Sequence, residues 1–90
     1  MYISNVAGSS RFAKPKGYSS WVEYWEAQTR QSAYFCSADN CMRTDLVGAH
    51  VQKAYSADNK WYIVPLCSSC NKRTDTFNVS ATLVPVPSNL

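Results

Sequence analysis

Four cysteines supply the first readable chemistry: Cys36 and Cys41 form a C-x4-C pair, and Cys67 and Cys70 form a C-x2-C pair 25 residues further on. Tetrahedral zinc takes four soft thiolate ligands at about 2.3 Å, and two close pairs on separate local elements can converge on one ion from two directions. The spacing therefore predicts a structural Zn2+ held by Cys36, Cys41, Cys67 and Cys70. With all four positions filled by protein, such an ion has no place for water or substrate and acts as a fold element. Two other uses of the same residues stay open. A disulfide or redox dithiol is disfavoured in a reducing compartment. A four-thiolate iron centre is disfavoured by the wider first pair and by the helix expected after the second.

These ligands need elements to hold them, and a 90-residue chain is one domain, near the size at which a core alone is marginal and a metal helps. The composition is globular, with 46% hydrophobic and 17% charged residues, enough apolar surface for a packed core. Residues 1–17 combine Gly8, Pro15 and Gly17 with Arg11, Lys14 and Lys16, without helical or alternating periodicity, and are expected to be a flexible basic arm. Ser20 followed by Glu23 is a capping-box pattern opening an amphipathic helix over about 21–31. Trp21, Val22, Tyr24 and Trp25 crowd one face of that helix, and Glu23, Glu26 and Arg30 favour water.

Ser37-Ala38-Asp39-Asn40 is a turn-rich spacer that makes a knuckle of the first cysteine pair. The β-prone stretches 46–55 and 60–65, separated by Ser56-Ala57-Asp58-Asn59, predict a hairpin. A helix is expected over 67–76, and a final edge strand over 79–84 before Pro85 and Pro87. The domain is placed at 18–84 and a C-terminal tail at 85–90.

The stretch from Cys36 to Lys72 resembles the HNH (His-Me finger) endonucleases, a treble-clef zinc-finger family. The resemblance rests on Cys36-x4-Cys41, Ala49-His50-Val51, Asn59 and the run Val64-Pro65-Leu66-Cys67-Ser68-Ser69-Cys70-Asn71-Lys72-Arg73. It implies an α+β fold: a small treble clef of knuckle, β-hairpin and helix, with an added N-terminal amphipathic helix and a C-terminal edge strand. It also implies that His50 stands where the family's general base activates water against a phosphodiester, with Asn59 and Asn71 at the other two catalytic positions. A separate Mg2+ would then neutralise charge on the scissile phosphate. Ala49 stands where members that cleave DNA carry a metal-holding Asp or His, and Asn59 lies further from Cys67 than the family's loop asparagine does.

Three functions follow as expectations. The first is a DNA- or RNA-binding zinc domain using Lys53, Lys60, Lys72 and Arg73 with Arg11, Lys14 and Lys16. The second is an active HNH-type nuclease using His50. The third is a structural module that docks on a protein partner through its aromatic helix. The formal charge of +3 falls by two when four thiols become thiolates around one dication, so only local clustering of basic residues favours nucleic acid. The longest apolar run, 61–67, is far short of the ~20 residues of a membrane span. Residues 1–6 have neither the basic start nor the apolar stretch of a signal peptide, so a cytoplasmic location is expected.

Overall fold

β-prone residues on either side of a turn form the two longest strands, β2 (Leu46–Lys53) and β3 (Tyr62–Cys67). In the computed structural model, which describes residues 1–6 and 13–87, they pair antiparallel, with Leu46 opposite Cys67 and His50 opposite Ile63. The hairpin is as expected, except that β3 extends to Cys67 itself. The left-handed residue in its loop is Tyr55, at φ 58°.

Pro65 sits inside β3 without interrupting the ladder to β2. Its carbonyl turns outward to accept Ser37 N–H at 3.1 Å, and a strand residue's N and C=O point the same way, so its missing donor also faces outward.

Tyr2–Asn5 forms β1, an inner strand that pairs with β2 through Ile3 opposite Lys53 and with β4 (Phe77–Asn78) through Ile3 opposite Phe77. This corrects the expectation of a flexible arm over 1–17. Ile3 is fully buried, yet one apolar residue among polar neighbours leaves no periodicity to read. Ala13 and Pro15 belong to the same correction: Pro15 is buried, and Trp21 Nε1 donates to the Ala13 carbonyl at 2.9 Å. Residues 7–12, including Arg11, lie outside the described residues. The strand expected over 79–84 is replaced by β4 and β5 (Val84–Pro85), which occupy opposite edges of a five-stranded antiparallel sheet ordered β4-β1-β2-β3-β5. Pro85, assigned to the tail, is thus part of the sheet.

Helix α1 covers Trp21–Thr29 and stops at Arg30, whose N–H still closes on the Glu26 carbonyl and whose left-handed φ of 58° then turns the chain out of the helix. Ser20 Oγ accepts from Glu23 N–H at 3.1 Å, while the Glu23 carboxylate takes Ser19 N–H and Oγ–H instead of completing the box on Ser20. Replacing Ser20 by alanine is expected to cost about 1 kcal/mol, read as a lower urea midpoint with an unchanged slope. No loss would mean that Glu23 and Ser19 hold the helix start alone.

The sheet has two covered faces. Trp21 and Trp25 of α1 pack on Ile63 and Val84 on one side. On the other, Ile3, Ala49, Val51, Val64, Leu66, Phe77 and Val79 pack around Cys36, Cys67 and Cys70. Gly48 lies under the start of α1, where an added Cβ would meet the Trp21 backbone carbon at 2.6 Å. No helix among the described residues is long and apolar enough to cross a membrane.

The helix expected over 67–76 is instead a single 3-10 turn, Cys70–Lys72, after which Arg73 returns to extended backbone at ψ 143°. Ser68, Ser69, Asn71, Thr74 and Asp75 all favour local side-chain bonds over a helix interior. The helix that a treble clef places after its second cysteine pair is therefore not formed. What stands among the described residues is a small α+β domain with one α-helix, one antiparallel sheet and a cysteine cluster.

Candidate metal centre

The first cysteine pair is delivered by a loop pinned to the sheet at several points. Ser37 donates from both N–H and Oγ to the Pro65 carbonyl, the latter at 2.6 Å, and Ala38 bridges Val79. Asn40, at φ 60°, supplies the left-handed step and Cys41 N–H closes on the Ala38 carbonyl at 3.2 Å. Asparagine adopts this conformation more readily than most residues, so the turn-rich spacer does the work expected of it.

The second pair comes from the end of β3 and the 3-10 turn. Cys70 N–H points at Cys67 Sγ, 3.4 Å away. Asn5, on β1, donates from Nδ2 to both the Cys70 and the Arg73 carbonyl at 2.9 Å. Asp45 joins the two halves: it takes two bonds from the Arg43 guanidinium and one from Ser68 Oγ at 2.6 Å. Those partners hold its carboxyl well below the usual carboxylate range.

All four Sγ atoms lie within 4.8 Å of one another. Cys41 Sγ is 3.8 Å from Cys67 Sγ and 3.9 Å from Cys70 Sγ, close to the edge of about 3.8 Å that a tetrahedron with 2.3 Å zinc–sulfur bonds requires. None is disulfide-bonded. Cys36, Cys67 and Cys70 are buried and Cys41 is partly exposed.

Burial raises the Cys36 thiol and, helped by the neighbouring thiols, pushes Cys70 up to about 12. Cys67, also raised by burial, is brought below its ordinary value by Cys70 N–H and the other three thiols. Buried thiols in this environment resist ionising together unless a cation compensates them, and the donor set fits zinc, which replaces their protons. Four soft sulfurs in a closed shell suit zinc rather than a hard cation.

The residues aligned with a nuclease site are not assembled around this centre. His50, in the middle of β2, is 2% exposed and faces α1, its ring edge-on to Trp21 at 4.9 Å and to Trp61 at 6.5 Å. Its neighbours Ala49 and Val51 face the cysteine side. Asn71 belongs to the turn carrying Cys70 on that cysteine side, and its Oδ1 is buried without a hydrogen-bond partner among the described residues. Asn59 is exposed in the hairpin loop, where its carbonyl accepts from Gln52 Nε2.

Burial lowers the His50 pKa to about 4, against roughly 6.5 in an unfolded chain. Between these values the unfolded chain binds a proton that the native state refuses, so stability must fall as pH falls through this window. The expected loss is roughly 2 kcal/mol between about pH 7 and pH 5. Urea unfolding of zinc-loaded wild type and His50→Gln at both pH values isolates it, since acid effects on the thiolates are common to both. Equal losses in the two proteins would refute it.

Among the basic residues, Lys53 pairs with Asp58 at 3.6 Å, Arg43 with Asp45 at 3.0 Å and Arg73 with Asp75 at 2.6 Å, Arg73 also lying over the Phe77 ring. Lys14, Lys16, Lys60 and Lys72 are exposed and enter no ion pair among the described residues. Sequence reasoning missed Asn5, Ser37, Asp45 and Gly48. Only Ser37, within the knuckle spacer, carried a local signal.

No family model, curated protein or solved structure matches this chain.

Proposed function

We propose that this chain is a zinc-held binding module whose exposed lysines contact nucleic-acid phosphates. The observation that carries the reading is the convergence of the four Sγ atoms within 4.8 Å, a closed donor set suited to an ion that shapes a surface and takes no part in a reaction. The nucleic-acid part is supported by the HNH-like run from Cys36 to Lys72 and by Lys14, Lys16, Lys60 and Lys72, exposed before α1, in the hairpin loop and on the 3-10 turn. A hydrolytic role for His50 and a separate Mg2+ gains no such support. A base buried behind Trp21 with a pKa of about 4 is poorly matched to proton abstraction near neutral pH.

Fluorescence anisotropy with single- and double-stranded oligonucleotides tests the reading. Four phosphate contacts give a slope of log affinity against log salt of about −3 to −4, and Lys60→Ala with Lys72→Ala should remove about half of it. Plasmid cleavage with added Mg2+, lost on His50→Ala, would restore the nuclease.

A second reading, a protein-docking module, loses the aromatic helix as its surface, because Trp21 and Trp25 are buried against the sheet, and is favoured instead by one feature: Tyr34, Phe35 and Met42 are 70%, 52% and 75% exposed on the loop that Cys36 N–H closes onto the Arg43 carbonyl at 2.8 Å. This reading predicts no salt-dependent oligonucleotide binding, and association with a partner that survives added salt.

A further inference from the structure

We propose that Asn5 is a positioning residue of the metal centre: from β1 it holds the turn that presents Cys70, and so sets how tightly the four thiolates grip a metal. The inference rests on the metal-centre reading above and adds to it a residue that lies 65 positions from the ligand it serves.

The 3-10 turn that carries Cys70 is three residues long and is closed by two backbone bonds of its own, Lys72 N–H to the Ser69 carbonyl and Arg73 N–H to the Cys70 carbonyl, each 3.1 Å. So short a turn has little intrinsic persistence. Asn5 Nδ2 spans it, donating at 2.9 Å to the carbonyls of both Cys70 and Arg73. The clamp is itself fixed. Asn5 is paired with Val51 in the sheet, Ile3 beside it is fully buried, and Val6 N–H extends the pairing to the His50 carbonyl at 2.9 Å.

The chemistry selects asparagine. Two carbonyl oxygens need a two-hydrogen donor between them, and a flipped amide would set oxygen against oxygen, so the nitrogen's position is unambiguous. Asn5 Oδ1 is left buried without a hydrogen-bond partner among the described residues, which shows how far the orientation is dictated by the turn. Aspartate would offer only acceptors, and alanine none. Groups that orient metal ligands from outside the donor set typically change metal affinity by about 10- to 100-fold.

The test titrates Co2+ and Zn2+ into reduced wild type, Asn5→Ala, Ser4→Ala and Val84→Ala. It follows the cobalt d–d and thiolate charge-transfer absorption, with zinc affinity by competition. Ser4→Ala controls for changes on the same strand. Val84→Ala trims the helix-side cluster and reports what general destabilisation alone does to binding. Expected is one metal per chain, an affinity at least about tenfold weaker in Asn5→Ala than in either control, and a shifted d–d envelope in that variant only.

An Asn5→Ala affinity no weaker than that of Val84→Ala, with the wild-type spectrum, would overturn the role of Asn5 while leaving the metal centre intact. Failure of the wild type to bind either ion would overturn the centre and Asn5's role with it. Should Asn5→Ala not fold, the wild type decides: the Asn5 side-chain amide protons must exchange slowly in the zinc-loaded protein and rapidly after chelation, and rapid exchange in the loaded protein refutes the clamp.

Discussion

Removal of the proposed zinc ion by a strong chelator, or replacement of Cys67 by alanine, is expected to abolish the cooperative thermal transition of this domain. Structural zinc bound by small peptides supplies roughly 10–16 kcal/mol of apparent free energy, as much as the whole stability of an ordinary domain. The wiring around the cysteines spreads that loss through the fold. The loop of Cys36 and Cys41 is tied to Pro65, Asn78 and Val79, and the turn of Cys70 is tied to Asn5. Without the ion, three buried thiols and a partly exposed one lose their common partner, and both edges of the cysteine-side core lose what holds them. At about 4–8 °C per kcal/mol for a domain of this size, nothing resembling the native transition should survive. Circular dichroism melts with and without chelator, alongside a zinc-to-protein ratio of one, decide the matter. A chelated protein that still melts within a few degrees of the untreated one would make the cysteine cluster a reduced-thiol packing feature and remove the basis for the proposed function.

The site was legible where chemistry depends on spacing and illegible where it depends on distant pairing. C-x4-C and C-x2-C announce a convergence of thiols that the 3.8 Å and 3.9 Å separations bear out, and Ser20 announces the helix start it caps. β2 and β3 are long enough for their β-prone composition and the turn between them to show. β1 is not: its pairing partners lie at residues 51–53 and 77–78, and no local pattern in Tyr2-Ile3-Ser4-Asn5 points to them. The same limit hid Asn5, whose role exists only once β1 is beside the 3-10 turn.

The expected helix after Cys67 failed for the opposite reason. A helix-start signal read just after Pro65 outweighed the weak helix propensity of Ser68, Ser69, Asn71, Thr74 and Asp75. His50 illustrates a third limit. Its position in the chain matched a catalytic base, but a strand side chain's face is set by parity, and parity places it against Trp21 while Ala49 and Val51 take the cysteine side.

Gly48→Ala is expected to destabilise the zinc-loaded protein by about 3 kcal/mol or more. Gly48 is not needed for an unusual backbone conformation. It faces Pro65 in the β2–β3 ladder, and the start of α1 rests directly over it. A Cβ there would press first on Trp21 Cβ and would lie 2.6 Å from the Trp21 backbone carbon and 2.8 Å from the Val22 nitrogen. Two of these are main-chain atoms, which cannot move aside by rotating a side chain, so the whole first turn of α1 must lift. Lifting it pulls Trp21 from the Ala13 carbonyl and from the His50 ring and opens the cluster around Ile63 and Val84. Overpacking of a rigid site commonly costs about 1–3 kcal/mol, and more where the backbone must shift. The gain from alanine's higher strand propensity is well below that, since the whole β-propensity scale spans about 1 kcal/mol. Urea unfolding measures the change, and the cobalt spectrum should remain that of wild type because the clash lies on the face opposite the thiols. A wild-type urea midpoint for Gly48→Ala would show that α1 can slide off β2 without penalty, and the helix would then be an accessory of the fold rather than the lid of its second core.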